Sequence, residues 1–321
     1  MTTEILTRPV SGPSAWTAAD LQSGEPYVRH LTAAELDAAD AAADKAADDA
    51  ADEASDSGLE GVVEDLVERL ENGVGYAVLR GLPLGTRHTP ERAARVHQAI
   101  ARRLGEIVPQ NRDGDLVSVL EDAHHPAQPG GTYASKAGAP FHTDPTDIVS
   151  YLCLATPTSG GARVLVSAAT VYNALVREHP EWLDLVYREY ATDWDGQEPT
   201  GEPGWSPRPI FSYVDDALTC SLSPKRIMSA MRFEDVPRLG AEEMTCLMYL
   251  ESLLRRPGTA VHVEPRPGDM EFVNNHAVIH SRTGFVDDAD HRRRLHRLWI
   301  SRGAAGRPLV PALRRWRAGV S

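Results

Sequence analysis

Cysteine is scarce in this chain. There are three in 321 residues, Cys153, Cys220 and Cys246, and no two of them form a CxxC pair. That spacing excludes a disulfide framework or a zinc knuckle and suits reduced thiols in a cytoplasm. Long apolar runs are missing too: none approaches the ~20 residues that span a bilayer. The first residues, MTTEILTRPVSGPSAW, lack the basic-then-apolar order of a secretory signal, so a cytoplasmic location is expected. Positive charge is the third shortage. Lys and Arg number 33 against 46 Asp and Glu, for a net charge of −13. Nucleic acid and an anionic membrane surface are therefore poor partners. A small molecule is the partner class that remains; a homo-oligomer is compatible with the sequence, which carries no signal for one.

What is present is a hydrophobic content of 42% beside 25% charged residues, the balance of a globular chain with a sizeable core. Much of the acid lies in LDAADAAADKAADDAADEASDSGLE, residues 36–60. Alanine favours helix and the repeated Asp makes a solvated face, so residues 1–60 read as an acidic Ala/Asp-rich arm or helix rather than a separate domain. Residues 61–321 read as a single domain. GVVEDLVERLENG has helical apolar spacing and stops at Gly73, while GYAVLRGLPL reads as a strand. TPERAARVHQAIARRLGE is a helix with Thr89 as N-cap, Pro90 in its first turn and Gly105 at its end. DIVSYLCLATP is a buried strand, AATVYNALVREHPEWLDLVY is helical with a break at His179-Pro180, and GAEEMTCLMYLESLLRR is a further helix. AVHVEP, DMEFVNNHAVIHSRTGF and RRLHRLWIS read as strands. Strands scattered from 75 to 301, with helices early and in insertions, predict an α+β chain with a mainly β core and helices packed outside. Loops are expected at 122–140, which contains His124 and His125, and at 193–209.

The chemistry begins in FHTDPTD, where His142 and Asp144 are separated by one residue. On an extended segment, residues i and i+2 project from the same face. An imidazole and a carboxylate held that way can take two cis positions on one metal. Two histidines and one carboxylate on one face of an octahedron define the site of non-haem Fe(II) oxygenases, with the opposite face open. The third ligand must come from elsewhere, and GDMEFVNNHAVIHSRTGF offers His276 and His280. Four apart on a strand, they would share a face, so spacing does not choose between them. The segment is not the helical His-Glu-x-x-His of zinc peptidases, because the acid is missing. Beyond it, Arg293, Leu295 and Arg297 alternate onto one face, and guanidinium binds carboxylates through paired hydrogen bonds.

In this order of elements the sequence resembles the taurine dioxygenase and clavaminate synthase-like group of Fe(II)/2-oxoglutarate-dependent oxygenases. The resemblance runs from about Gly75 to the end, through GYAVLRGLP, FHTDPTD, SGGARVLVSAATVYNAL, GDMEFVNNHAVIHSRTGF and RRLHRLWIS. It implies a double-stranded β-helix (jelly roll, cupin-like) with flanking helices. It implies His142, Asp144 and His280 as iron ligands, with His276 a neighbour within reach of substrate. Arg293 would take the distal carboxylate of 2-oxoglutarate, and Arg297 would lie near the substrate or the cosubstrate's other end. A carboxylate- or sulfonate-bearing substrate would rest on Arg297.

Two departures from the family pattern stand out. Arg163 follows the Gly pair where the family often has Thr or Ser, so either Arg163 supplies a second cation or Ser167 supplies the hydroxyl. Asp144 is the taurine-type choice where clavaminate-type members often carry Glu. A change of loop length would also make Arg294 the anchor instead of Arg293. The implied cofactors are Fe(II), 2-oxoglutarate and O2. The implied reaction is hydroxylation of an unactivated C–H bond with release of succinate and CO2; desaturation or cyclisation are variants, and the presence of Asp144 disfavours halogenation. Substrate contacts are expected from the long loops and from SPKRIM, where Arg226 could meet an anion. An amino acid or a natural-product intermediate is the expected substrate class. Two other classes compete: a cupin-like metalloenzyme that does not use 2-oxoglutarate (isomerase or hydrolase), which has no need of Arg293, and a non-catalytic small-molecule binding protein, against which the complete triad argues.

Overall fold

A computed structural model describes residues 4–45, 58–121, 137–199 and 201–320. His124, His125 and most of the expected 122–140 loop lie outside the described residues. Strand β1 (Val28–His30) leads into helices α1 (Ala33–Lys45) and α2 (Glu60–Val67). β2 (Tyr76–Arg80) follows Gly75 at φ +77°, where a Cβ would press on Val278 and Ala277. α3 (Pro90–Leu104) begins as the sequence predicts: the Thr89 hydroxyl accepts from the Arg92 N–H, Pro90 takes the first turn and the chain leaves at Gly105. Such a cap contributes about 1 kcal/mol. Then come β3 (Glu106–Val108), β4 (Ser118–Glu121), β5 (Ala139–His142), β6 (Ile148–Ala155), β7 (Ser159–Gly160) and β8 (Arg163–Ser167). α4 (Ala168–Glu178) and α5 (Leu183–Tyr187) are separated at His179-Pro180, as the proline requires. The ribbons β9 (Glu189–Asp193) with β10 (Trp205–Pro209), and β11 (Phe211–Val214) with β12 (Ala217–Cys220), precede α6 (Pro224–Ala230) and α7 (Ala241–Leu254). β13 (Val261–Val263), β14 (Met270–Asn274), β15 (Val278–Arg282), β16 (Phe285–Val286), β17 (Arg294–Ser301) and α8 (Pro311–Arg314) complete the order.

Two sheets carry the core. The larger runs β1-β2-β14-β6-β17-β3, with β4 also on β17; the smaller runs β13-β8-β15-β5. β6 shows why they stack. Val149, Tyr151 and Cys153 enter the cluster between the sheets, together with Leu165 and Val278 of the smaller sheet. Ile148, Leu152 and Leu154 point the other way, into a cluster with α1, α2 and α3. A strand buried on both faces needs an unbroken apolar run, which DIVSYLCLATP supplies. On the smaller sheet, Phe141, Val164, Val166 and Ile279 face outward onto α4, α5 and α7. Each such side chain taken fully from water is worth roughly 1.5–3 kcal/mol. The architecture is mixed α and β, mainly sheet, in layers.

Three expectations change. The 193–209 stretch is not all loop, because Trp205–Pro209 pairs with Glu189–Asp193. Its prolines sit in a two-stranded ribbon, where a missing N–H is tolerated. The segment 269–285 is two strands in different sheets rather than one strand: residues 275–277 turn between β14 of the larger sheet and β15 of the smaller. Residues 33–45 form a helix that is solvated on one face, at Asp37 and Asp44, and packed on the other. Ala39, Ala42 and Ala43 are buried against the core cluster shared with α3, and Asp40 pairs with Arg87, His88 and Arg92. Small residues allow that close approach, and the acids meet Arg87 and His88 just before α3 and Arg92 in its first turn. Among the described residues, no helix is long and apolar enough to cross a membrane.

Candidate metal centre and its arginines

The pleat decides which side chains face the space between the sheets. Phe141 and Ile279 point outward, so His142 and His280 point inward. They stand directly opposite each other across the β5/β15 pair, with ring centroids 4.5 Å apart. Asp144 lies in the turn after β5. Its N–H donates to Asn275 Oδ1 at 3.1 Å, which ties it to the β14–β15 turn. Asp144 Oδ2 is 3.4 Å from His280 Nε2, and Asp144 Oδ1 is 3.8 Å from His142 Nε2. One donor atom from each residue lies within 4.8 Å of the others. Thr143 spaces the pair and donates its N–H to the Leu222 carbonyl.

These residues suit a divalent metal. His142 Nδ1 is 2.8 Å from the Pro140 carbonyl, which fixes the proton there and leaves Nε2 as the lone-pair nitrogen. Burial first, and then neighbouring His280, push the His142 pKa down to about 3, so the ring is a neutral donor. Burial works against the Asp144 charge. The close approach of His280 and the charges of His142 and Arg297 prevail and hold it well below the usual carboxylate range. Both ring nitrogens of His280 are buried without a hydrogen-bond partner among the described residues. A buried, unsatisfied imidazole is expensive unless something coordinates it. Two nitrogens and one carboxylate oxygen converging from one side are the donor set of a facial triad.

His276 is not part of this cluster. It sits in the 275–277 turn, with Nε2 2.8 Å from Asp147 Oδ1. The turn breaks the shared face that a continuous strand would have given the two histidines. Asp147 also accepts from the Arg302 N–H and from Arg317 Nε. It joins the segment after β5 to the C-terminal segment.

Arg293 is buried, with its guanidinium carbon 5.3 Å from the Phe285 ring. No carboxylate pairs with its side chain among the described residues. Burial, then the charges of Arg282 and Arg163, push its pKa down to about 10. Arg294 points outward to Glu121 at 2.8 Å. Arg163 lies near Arg293 but is engaged: it donates to Glu271 Oε2 at 3.1 Å and stacks 3.7 Å over the Tyr151 ring. The Tyr76 hydroxyl completes that network by donating to Glu271 Oε1. Ser167 has a different task. Its hydroxyl accepts from the Thr170 N–H at the start of α4 and donates to the Ser14 carbonyl. Arg297 Nε donates to Gln110 Oε1, and Gln110 Nε2 returns a bond to the Arg297 carbonyl. Its charge still acts on Asp144. Arg226, on α6, lines an open cleft with His142, Phe141, Asp195, Ser223 and Lys225. Of the aromatics, Trp194 packs face to face on Trp316, while Trp205 and Tyr213 bond to Asp235 and Asp216. Arg208 was missed: it is buried beside this region, and only its place between two prolines sets it apart in the sequence.

The family described as "Taurine catabolism dioxygenase TauD, TfdA family" matches residues 41–299. FR-33289 synthase of Streptomyces rubellomurinus (strain ATCC 31215) is 31% identical over 316 residues, covering 93% of this chain and 92% of the relative. An asparagine oxygenase solved with Fe(II), 2S,3S-3-hydroxyasparagine and succinate superposes with a TM-score of 0.67 at 20% identity, over 87% of this chain and 98% of that one. The non-heme iron oxygenase OrfP, solved with Fe and alpha-ketoglutaric acid, gives a TM-score of 0.61 at 18% identity, over 86% and 94%. The family match spans both halves of the triad and most of β17. The chain belongs to the TauD/TfdA dioxygenase family and is an Fe(II)- and 2-oxoglutarate-dependent dioxygenase.

Proposed function

We propose that this chain hydroxylates an unactivated C–H bond of a small molecule, an amino acid or a natural-product intermediate, on a double-stranded β-helix formed by its two stacked sheets. The observation that carries the reading is the convergence of His142, Asp144 and His280 in one buried cluster, with the uncompensated Arg293 on the same side of the larger sheet. In this reading the three residues hold Fe(II). Arg293, stacked by Phe285, receives the distal carboxylate of 2-oxoglutarate. Arg163 adds positive potential from its place over Tyr151, and Arg297 does so from beside Asp144. When bound, iron with 2-oxoglutarate and O2 supplies oxidative decarboxylation to succinate and CO2, coupled to oxidation of the C–H bond. The protein's part is to orient its ligands and keep the centre dry. Pro140 holds the His142 tautomer, Asn275 holds Asp144, and the apolar sheet interior excludes water.

Substrate would enter through the cleft beside His142. Its wall sets Arg226 and Lys225 against Asp195, a pairing of charges that suits an amino-acid-like zwitterion. The asparagine oxygenase and the OrfP complexes with (3S)-hydroxy-L-Arg support that substrate class by analogy. The test is a screen of amino acids and related acids for stimulated succinate formation with Fe(II) present. Turnover should depend on Fe(II) and be lost in His142→Ala and Arg293→Ala. Full 2-oxoglutarate turnover in both variants would overturn the reading.

A further inference from the structure

Arg208, on β10, is 3% exposed and has no carboxylate partner among the described residues. Its guanidinium carbon sits over Trp316, 3.5 Å from the ring centroid, and Trp316 stacks in turn on Trp194 at 3.8 Å and 9°. Nη1 reaches Ser221 Oγ at 3.2 Å. Nε and Nη2 are buried and have no hydrogen-bond partner among the described residues. Those two nitrogens form one edge of the planar fork, the edge that grips an oxyanion through two parallel bonds. The contact with Trp316 holds the guanidinium in place and leaves this edge unsatisfied. A buried cation with an empty fork is costly to keep in an apolar interior unless an anion completes it.

The position of Arg208 relates it to the triad. Its partner Ser221 is followed by Leu222, whose carbonyl accepts the N–H of Thr143, between His142 and Asp144. Next in the chain, Ser223 and Arg226 line the cleft that contains His142. Burial, and then the charge of Arg226, depress the Arg208 pKa strongly, which agrees with two cations sharing one neighbourhood. Arg226 is half-buried and has no ion-pair partner among the described residues. Of the two acids in the cleft wall, Asp193 is already bound by Arg232 Nε at 2.9 Å and Ser229 Oγ at 2.6 Å. This cation pair is separate from Arg293, which sits among Phe285, Arg282 and Arg163.

We propose that Arg208 and Arg226 together bind an oxyanionic end group of the substrate, a carboxylate or a tetrahedral oxyanion, beside His142. That the ligand is the substrate rests on the dioxygenase reading above; that the subsite binds an oxyanion does not.

The test uses the full chain under anaerobic conditions with Fe(II) and saturating 2-oxoglutarate, titrated with propionate, ethanesulfonate, ethylphosphonate and neutral propionamide. Binding is followed by calorimetry and by tryptophan fluorescence, since Trp316 lies under Arg208. At least one oxyanion should bind about tenfold or more tightly than propionamide, and the best of the three identifies the end group. Arg208→Met, which keeps an apolar stem on Trp316, and Arg226→Gln should each weaken that anion about tenfold or more while leaving propionamide unchanged. Equal binding of all four probes, or oxyanion binding untouched in the variants, would overturn the proposal. If Arg208→Met fails to fold, the half-exposed Arg226→Gln decides alone. Arginine-dependent anion binding without any 2-oxoglutarate turnover would sink the dioxygenase reading and leave the subsite standing. Turnover with oxyanion binding indifferent to both arginines would do the reverse.

Discussion

Replacing Arg293 with methionine should stabilise the ligand-free protein and cripple its grip on 2-oxoglutarate. The side chain is 4% exposed, and no carboxylate pairs with it among the described residues. Burial and the charges of Arg282 and Arg163 bring its pKa from the ordinary guanidinium range down by roughly two units, to about 10. At about 1.4 kcal/mol per pKa unit, the buried charge costs the ligand-free fold on the order of 3 kcal/mol. Methionine keeps an unbranched stem against Phe285 without the charge, so a gain of about 1–3 kcal/mol is expected. The guanidinium is protonated in folded and unfolded chains alike below pH 10. The gain should therefore be level from pH 6 to 9 and shrink only as pH rises beyond about 10, where the wild-type folded state sheds its proton. In the same variant the paired charge-assisted bonds to the cosubstrate are lost, roughly 1.5–3 kcal/mol. That is about 10- to 200-fold in Kd. Urea denaturation of metal-free protein reads the first effect; anaerobic calorimetry with Fe(II) and 2-oxoglutarate reads the second. A variant that is less stable than wild type yet binds 2-oxoglutarate within twofold of it would refute the reasoning.

Other perturbations have smaller or different signatures. Asn275→Ala removes the acceptor of the Asp144 N–H; stability should fall by about 1–3 kcal/mol, and an anaerobic Fe(II) titration should show affinity reduced roughly tenfold or more. Arg294→Ala breaks only an exposed pair with Glu121, so stability should change by under ~1 kcal/mol and 2-oxoglutarate affinity should stay put. His97 is buried 2.7 Å from Ser150 Oγ, and burial, then His296, push its pKa down to about 3. Its folded value lies below its unfolded one, so its share of stability is lost as pH falls from 6.5 toward 3, by about 1.4 kcal/mol per pH unit. Urea midpoints at pH 7 and pH 5 should therefore diverge less in His97→Gln than in wild type.

Much of the fold was legible because its signals are local. The Thr89 cap, the Pro180 break and the two-sided apolar run of β6 each depend on a few adjacent residues. The 205–209 strand was not legible, because its prolines disguise a pairing that only a partner strand reveals. The acidic stretch was legible in part: Asp37 and Asp44 do form an exposed face, but that Asp40 turns to Arg87 and Arg92 needed the tertiary contact.

The sequence by itself put forward the His-x-Asp pair, then two candidate histidines and two candidate arginines, and their order along the chain, because spacing along a strand aims side chains to a face without choosing between residues on it. Tertiary structure decided the rest. It set His280 opposite His142 and turned His276 to Asp147, since a turn rather than a strand separates the two histidines. It buried Arg293 and left Arg294 outside, by the register of β17 against β6 and β4. It gave Ser167 to a helix cap and Arg163 to Glu271, and it seated Arg208 on Trp316, more than a hundred residues away in the chain. Except in the Ser167 cap, whose partner Thr170 is three residues away, the partner comes from a remote segment. Periodicity reports which face a residue takes; it carries no information about what waits on the other side.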